Sequence, residues 1–163
     1  MTVDSRAFRR ALGCFATGVT VVTSLDPDSN APVGVTVSAF SSLSLDPPLV
    51  LFCLGNQTSS LDAFRRAGSF VVNVLGEGQR ELSNRFAGRA EDKWAGVALV
   101  PGLLGLPVLE GCLANLECSV VDTAQGGDHL IFIGRVENIH HQEGGRPLLY
   151  FRGAYMDGAQ GGA

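Results

Sequence analysis

The chain has 163 residues, of which 45% are hydrophobic and 17% charged, so it is long and apolar enough for one globular domain with a buried core. Its net charge of -4 comes from scattered basic and acidic residues, which argues against the basic runs typical of nucleic-acid binding. No segment has the roughly 18 uninterrupted apolar residues of a membrane span, and the first ten residues lack the apolar run of a secretion signal. We therefore expect a cytoplasmic protein that binds neither nucleic acid nor membrane.

The first part of the chain predicts a helix, a hairpin and a buried strand. Asp4 or Ser5 can cap a helix that continues to about Ala16. The β-branched stretches "TGVTVVTSL" and "VGVTVSAFSSLSL" flank the turn "DPDSNAP", a pattern typical of a hairpin. After two prolines, residues 49–54 are apolar on both faces, which predicts a strand that is covered on both sides.

The second part alternates short helices with further strands. "QTSSLDAFRRAG" and "GQRELSNRFAGRAEDKW" predict helices on either side of the strand "SFVVNVL", and three more strands follow from "CLANLECSVVDTA" onward. Six or seven strands with three short helices predict a mainly β, mostly antiparallel barrel and not a doubly wound nucleotide fold. We expect a single domain over residues 1–156 and a flexible tail over residues 157–163.

Several common chemistries have no matching residues in this sequence. The four cysteines form no C-x-x-C pair and have no histidine spaced to complete a zinc site, so we expect neither a metal site nor a disulfide framework. Neither a G-x-G-x-x-G nor a G-x-x-x-x-G-K motif is present, and the serines near residue 40 lack a G-x-S-x-G elbow. These absences argue against a dinucleotide-binding Rossmann site, a P-loop and a serine hydrolase.

The stretch "VTVSAF" is a candidate ligand-binding strand. With the two-residue period of a strand, Thr36 and Ser38 face one way, beside the ring of Phe40. Two hydroxyls and a ring on one face suit a flat ligand with polar edges. The solvent-facing side of an edge strand would show the same pattern, so the residues alone leave both interpretations open.

The serines of "TSS" are a candidate anion site. Ser59 and Ser60 precede a predicted helix, whose first amides have no internal partner and favour negative charge. A plain N-cap explains the same residues equally well.

His129 lies in "GGDHLIFIGRV", where a glycine turn enters a buried strand. Most histidines in turns are simply solvated, and the residues alone do not exclude that interpretation here. His140 and His141 precede another glycine turn and are expected at the surface.

Five motifs in this order resemble the short-chain flavin reductase family, the reductase components of two-component flavin-dependent monooxygenases. They are "FATGVTVVT", "GVTVSAFSSLSLDPPLVLFCL", "FVVNVL", "LSNRFAG" and "GGDHLIFIGRV", and the resemblance extends from about residue 8 to Tyr155. It implies an FMN-binding split β-barrel that forms a homodimer, which agrees with the strand pattern.

The resemblance also implies roles for individual residues. It places one set along the flavin ring, in its pocket or around its phosphate: Thr36, Val37, Ser38, Ala39, Cys53, Leu54, Ser59, Ser60, Phe86 and Arg89. It places His129 beside the flavin to position the incoming nicotinamide, with Tyr155 either near the same substrate or in packing. Glycines before His129 would let the main chain pass close to that substrate.

The function implied is an NAD(P)H-dependent flavin reductase that transfers a hydride from nicotinamide to FMN or FAD and supplies reduced flavin to a partner monooxygenase. Since flavin and nicotinamide carry the redox chemistry, the protein needs no nucleophile or metal of its own. The alternative is a non-catalytic split barrel that binds flavin or haem. The sequence does not decide between NADH and NADPH, between FMN and FAD, or between a tightly bound and an exchanging flavin.

Overall fold

The structure is a computed structural model, and it describes residues 3–89 and 92–156. Its helices are α1 (Ser5–Leu12), α2 (Leu61–Ala67) and α3 (Arg80–Ala87), the last preceded by a 3-10 turn at Glu77–Gln79. Its strands are β1 (Thr17–Gly18), β2 (Thr20–Leu25), β3 (Pro32–Val37), β4 (Phe40–Leu45), β5 (Pro48–Gly55), β6 (Ser69–Val74), β7 (Leu99–Val100), β8 (Val108–Leu109), β9 (Ala114–Gly126), β10 (His129–His141), β11 (Leu149–Phe151) and β12 (Ala154–Met156).

Seven strands form one antiparallel sheet in the order β3-β2-β6-β9-β10-β5-β4. Strands β3 and β4 lie at opposite edges of this sheet, yet only Ser38 and Ala39 separate them in the chain. The sheet must therefore curl until its edges meet, and the Ala39 carbonyl accepts a hydrogen bond of 3.0 Å from the Cys53 amide of β5. The predicted β2–β3 hairpin and the mainly antiparallel barrel are both confirmed.

The barrel interior is filled by phenylalanine rings from different elements. Phe52 of β5 and Phe132 of β10 stack with centroids 4.8 Å apart, and Phe70 of β6 meets Phe52 edge-on at 4.8 Å. Phe64 of α2 packs edge-on against both stacked rings, so α2 covers one end of the core. Each of these rings is at most 2% exposed, so their burial stabilises the barrel core.

A second cluster fastens α3 to β3. Phe86 of α3 is fully buried and meets Trp94 edge-on at 4.9 Å. A Cβ at Gly34 of β3 would lie 2.6 Å from the Phe86 ring, so only glycine lets the helix approach this closely.

Helix α1 is shorter than predicted and hardly packed. Asp4 caps it by accepting a hydrogen bond from the Ala7 amide at 2.8 Å, as the sequence indicated, but it ends at Leu12 and not at about Ala16. Gly13, a poor helix former, ends the helix as the chain turns toward β1. None of its residues is buried, and Phe8, Leu12 and the following Phe15 are more than half exposed.

Strand β5 is only partly covered on its outer side. Val50, Phe52 and Leu54 are buried inside the barrel, whereas Leu49, Leu51 and Cys53 on the other face are half-buried.

No helix in the described part of the chain is long and apolar enough to cross a bilayer. The tail predicted over residues 157–163 lies outside the described residues, and the single-domain boundary stays a prediction.

Candidate functional site

A cleft of about 620 Å³ lies on the outer surface of the barrel, where its two edges meet. Its walls come from the segment after α1, the β3–β4 link, β4, β5 and the β11–β12 hairpin. The lining residues are Leu12, Gly13, Phe15, Thr17, Ser38, Ala39, Phe40, Ser41, Leu51, Cys53, Tyr150, Arg152 and Gly153. A mostly apolar cleft of this size with a few polar groups is typical of small-molecule sites.

Three of the predicted flavin-binding residues line this cleft, namely Ser38, Ala39 and Cys53. Val37 and Leu54 are 4% and 3% exposed, with side chains in the barrel core. Only the main chains of Val37 and Leu54 are therefore available to a ligand. For Cys53 this arrangement follows from strand alternation, because its neighbours Phe52 and Leu54 are buried inside the barrel.

Thr36 does not line the cleft, but it lines a smaller cavity together with Ser38, so its predicted contact with the same ligand stays untested. Its hydroxyl donates a hydrogen bond of 2.6 Å to the Ser83 carbonyl of α3, so that proton is used inside the protein. The smaller cavity has a volume of about 170 Å³, and Ser38, Tyr150 and Tyr155 line it beside Thr36. The hydroxyl of Tyr155 lies 3.0 Å from Asn84 Oδ1 and 2.8 Å from Ser83 Oγ.

These bonds attach Tyr155 to α3, and the Arg80 guanidinium lies 5.1 Å above its ring. The structure thus gives Tyr155 the packing role that the sequence left open. Its predicted contact with nicotinamide stays untested.

The structure limits the predicted ligand contact of Phe86 and leaves that of Arg89 untested. Phe86 is 0% exposed beneath Gly34 and Trp94, so its side chain packs the core and does not reach the cleft. Arg89 follows the end of α3, is exposed and is absent from the cleft lining. Within the motif "LSNRFAG", Phe86 therefore packs α3 against the barrel.

Ser59 and Ser60 precede α2, as predicted. The structure fully supports neither the N-cap nor the anion-site interpretation of these serines. Ser60 occupies the N-cap position without a side-chain cap hydrogen bond, and Ser59 is exposed. The expected serine cap is therefore wrong for Ser60, and its hydroxyl remains available to a ligand. Helix α2 has only seven residues, so its dipole alone offers little to an anion.

His129 begins β10, directly after the tight turn at Gly127 and Asp128. Its Nδ1 lies 2.7 Å from Asp128 Oδ1, and its side chain is 47% exposed. The hydrogen bond to His129, together with its charge, lowers the pKa of the Asp128 carboxyl. Because an ionised carboxylate only accepts, Nδ1 is the donor in this hydrogen bond, which leaves Nε2 as the ring nitrogen available to a ligand.

The rest of the turn is held by neighbouring polar groups. The Asn56 amide donates to the Asp128 carbonyl at 2.8 Å, and Gln125 Nε2 donates to the carbonyls of Gly127 and His129 at 2.8 and 3.0 Å. Since His129 pairs with Gly55 across the β5–β10 ladder, it lies on the outer sheet face that also carries Cys53. The fold thus brings His129, Ser59 and Ser60 to the same end of β5, next to the strand face that forms the cleft.

Sequence reasoning missed Phe15, Thr17, Tyr150 and Arg152, which line the cleft. Thr17 pairs with Tyr150 through the β1–β11 ladder, so two stretches more than 130 residues apart along the chain build one wall. These residues lie in the segments "FATG" and "YFRG", whose aromatic residues and glycines could have marked them as candidate ligand contacts. Nothing local showed that they meet.

The thiols offer no nucleophile at this site. Burial raises the pKa of Cys53, and it raises those of Cys112 and Cys118 to about 11 and about 12. Protonated thiols are poor nucleophiles, so Cys53 acts as an apolar wall.

Over residues 3–89 and 92–156, no group of three or more His, Cys, Asp or Glu side chains could hold a metal ion.

The family model for the flavin reductase like domain matches residues 12–159. The reductase subunit HsaB of a flavin-dependent monooxygenase from Rhodococcus jostii is 44% identical over 94% of this chain and 77% of its own length. The solved NADH:FAD oxidoreductase SgcE6 of Streptomyces globisporus, in complex with NAD and FAD fragments, is 35% identical over 100% of this chain and 99% of its own, with a TM-score of 0.91.

Nitrilotriacetate monooxygenase component B from Mycobacterium thermoresistibile is 44% identical, with a TM-score of 0.89 over 94% of this chain and 86% of its own. A solved Sinorhizobium meliloti oxidoreductase is longer: the chain spans 53% of it, at a TM-score of 0.91 and 44% identity over 94% of this chain. The predicted resemblance and enzyme class are confirmed. With its split-barrel fold and a family match over most of its length, the chain belongs to the flavin reductase like family.

Proposed function

We propose that this chain uses NAD(P)H to reduce a flavin, FAD or FMN, and passes the reduced flavin to a partner monooxygenase. The observation that carries the proposal is the apolar cleft of about 620 Å³, which has Ser38 and Ala39 on one wall and lies on the sheet face that carries His129. The confirmed family favours an enzyme over the alternative of a non-catalytic flavin- or haem-binding barrel. The proposal places the enzyme in the cytoplasm, where NAD(P)H is formed.

The residues of the cleft fit a flavin. Exposed Ser38 and Ala39 offer main-chain groups and a hydroxyl to the polar ring edge, while Phe40, Leu51 and Cys53 offer apolar surface to the ring face. A bound flavin supplies the hydride acceptor that these side chains lack. The protein's task is then to hold the ring, exclude water from one face and align the second nucleotide.

His129 is the residue we propose for that alignment. Its Nδ1 is fixed by Asp128, so in the neutral ring Nε2 presents an acceptor suited to an amide N–H such as that of nicotinamide. The hydrogen bonds from Asn56 and Gln125 hold the main chain of the turn, and Asp128 holds the ring, before a substrate arrives. His129 acts by orientation and transfers no proton.

A steady-state assay tests the proposed function. Purified protein should oxidise NADH or NADPH at a rate that rises with added FAD or FMN and saturates with both substrates. A flavin- or haem-binding store would bind ligand without flavin-dependent turnover, which would contradict the proposal. Adding a flavin-dependent monooxygenase and following its product then tests delivery of reduced flavin.

We propose that Ser59 and Ser60 bind the flavin phosphate, on the support of their unused hydroxyls beside the His129 turn. Replacing both with alanine should weaken FMN binding by about 1 to 3 kcal/mol through lost charge-assisted hydrogen bonds. Riboflavin lacks the phosphate and should bind as before. Fluorescence titrations with the two flavins check this, and equal losses for both would assign the serines to folding.

We propose that the chain forms a homodimer through the outer face of β5 and β10. Leu49, Leu51, Ile131 and Ile133 lie there half-buried, more apolar surface than an isolated barrel usually leaves open. The Ile133→Arg variant should shift sedimentation toward a species near the 17.1 kDa chain mass. A parent protein that already sediments as a monomer at micromolar concentration would contradict the dimer.

A further inference from the structure

A second cavity, of about 460 Å³, opens beside the flavin cleft and is lined by three arginines. Arg9 and Arg10 belong to the last turn of α1, and Arg152 comes from the β11–β12 turn. Gly13, Cys14 and Gly153 complete the lining. Because Gly13, Arg152 and Gly153 also line the cleft, the two cavities are continuous.

The three arginines concentrate positive charge in a protein whose net charge is -4. Within the described residues, none of the three forms a salt bridge, whereas Arg66, Arg135 and Arg146 elsewhere do. All three are exposed. Their charges are therefore available to an anion that enters this cavity.

Helix stabilisation explains only part of this cluster. Basic residues in the last turn of α1 interact favourably with the helix dipole, which accounts for Arg9 and Arg10. Arg152 is different: it adopts a φ of +49°, which non-glycine residues rarely adopt, and its amide donates to the Gly13 carbonyl at 2.9 Å. This bond brings the turn, and the Arg152 side chain with it, to the end of α1.

We propose that Arg9, Arg10 and Arg152 bind the diphosphate of an adenine dinucleotide whose reactive ring lies in or over the adjoining cleft. Guanidinium groups pair with phosphate oxygens through two parallel hydrogen bonds, and three of them match a diphosphate better than a single phosphate. The shared chemistry is an adenosine diphosphate group, which both FAD and NAD(P)H carry. The proposal rests on the proposed function for the identity of the ring.

Binding of ADP tests the cluster without any turnover. Calorimetric titration at low salt compares the parent, an Arg10→Ala/Arg152→Asn double variant and the control Arg6→Ala, which changes another α1 arginine outside the cavity lining. Asparagine tolerates the left-handed turn conformation, so the double variant keeps the fold. We expect the Kd for ADP to rise about tenfold or more in the double variant and to stay unchanged in the control.

Further titrations identify the source of the diphosphate. If FAD binds more weakly to the double variant while FMN does not, the flavin carries it; if both flavins bind normally and the half-saturation for NADH rises, the nicotinamide nucleotide carries it. No measurable ADP binding to the parent, an unchanged Kd in the double variant, or an equal loss in Arg6→Ala would overturn the proposal. Flavin reduction by the parent protein would remain a separate result, so failure of the arginine site is distinguishable from failure of the proposed function.

Discussion

The His129→Ala variant should fold and bind FMN like the parent but lose about 1 to 3 kcal/mol in kcat/KM for NAD(P)H, roughly a 5- to 150-fold decrease. The imidazole is 47% exposed and contacts the protein mainly through Asp128, so its removal costs little packing. It is held in one orientation by a rigid turn at the end of a paired strand. What the variant loses is the alignment of the second substrate.

Stopped-flow flavin reduction against NADH concentration measures this effect, beside a fluorescence titration with FMN. His141→Ala is the matched control, because His141 is also exposed on β10 but lies at the opposite end of the strand. Unchanged rate and half-saturation in His129→Ala would make His129 an ordinary turn residue. A collapse of FMN binding would instead place the histidine in support of the flavin pocket.

Local sequence patterns predicted the parts of this site that lie within one strand or turn. The outward position of Cys53 follows from the two-residue strand period, and the position of His129 follows from a glycine turn before an apolar run. The same period puts Thr36 on the side of Ser38, and the two line one small cavity, but no local pattern shows that the Thr36 hydroxyl is used by a carbonyl 47 residues away. The resemblance placed Phe86 near the ligand, and no local pattern showed the burial of its side chain, because that burial depends on how α3 meets Gly34 of the sheet.

The cleft itself could not be predicted from the sequence. Its walls combine residues near 15, near 40 and near 150, and the arginine cavity combines α1 with the β11–β12 turn. Such contacts are set by closure of the barrel, which joins segments that are distant in the chain. Only the resemblance to the family pointed to a flavin site before the fold was known.

A buried carboxylate gives the second large expected effect. Glu117 of β9 is 0% exposed and accepts hydrogen bonds from the amides of Leu103 and Leu104 at 2.9 and 2.7 Å and from Asn138 Nδ2 at 2.8 Å. These bonds fasten the irregular segment 101–106 to the main sheet. Gly102 allows the close approach, since a Cβ there would lie 2.7 Å from Glu117 Oε2.

We expect the Glu117→Gln variant to lose about 3 kcal/mol of unfolding free energy, because its amide group would present hydrogens to donors that need an acceptor. Urea unfolding measures the loss, with Glu143→Gln, an exposed glutamate, as the control. Hydrogen exchange at the Leu103 and Leu104 amides should accelerate in the first variant only. If Glu117→Gln lost less than about 1 kcal/mol of unfolding free energy, Glu117 would not be what holds segment 101–106 to the sheet.

The pKa of Glu117 determines how the difference in unfolding free energy between the parent and Glu117→Gln depends on pH. Burial disfavours the charged form, but the hydrogen bonds from Leu104, Asn138 and Leu103 outweigh it, with a contribution from the charge of His140, so the folded pKa lies below the usual 4.5. A group with a lowered folded pKa contributes stability above its unfolded pKa and loses it as the pH falls through the folded value. The parent should therefore exceed Glu117→Gln in stability by a constant amount at neutral pH, and the gap should narrow below about pH 4.5. Urea titrations of both proteins from pH 7 to pH 3 measure the gap, and one that widened toward low pH would show that the carboxylate is not the stabilising form.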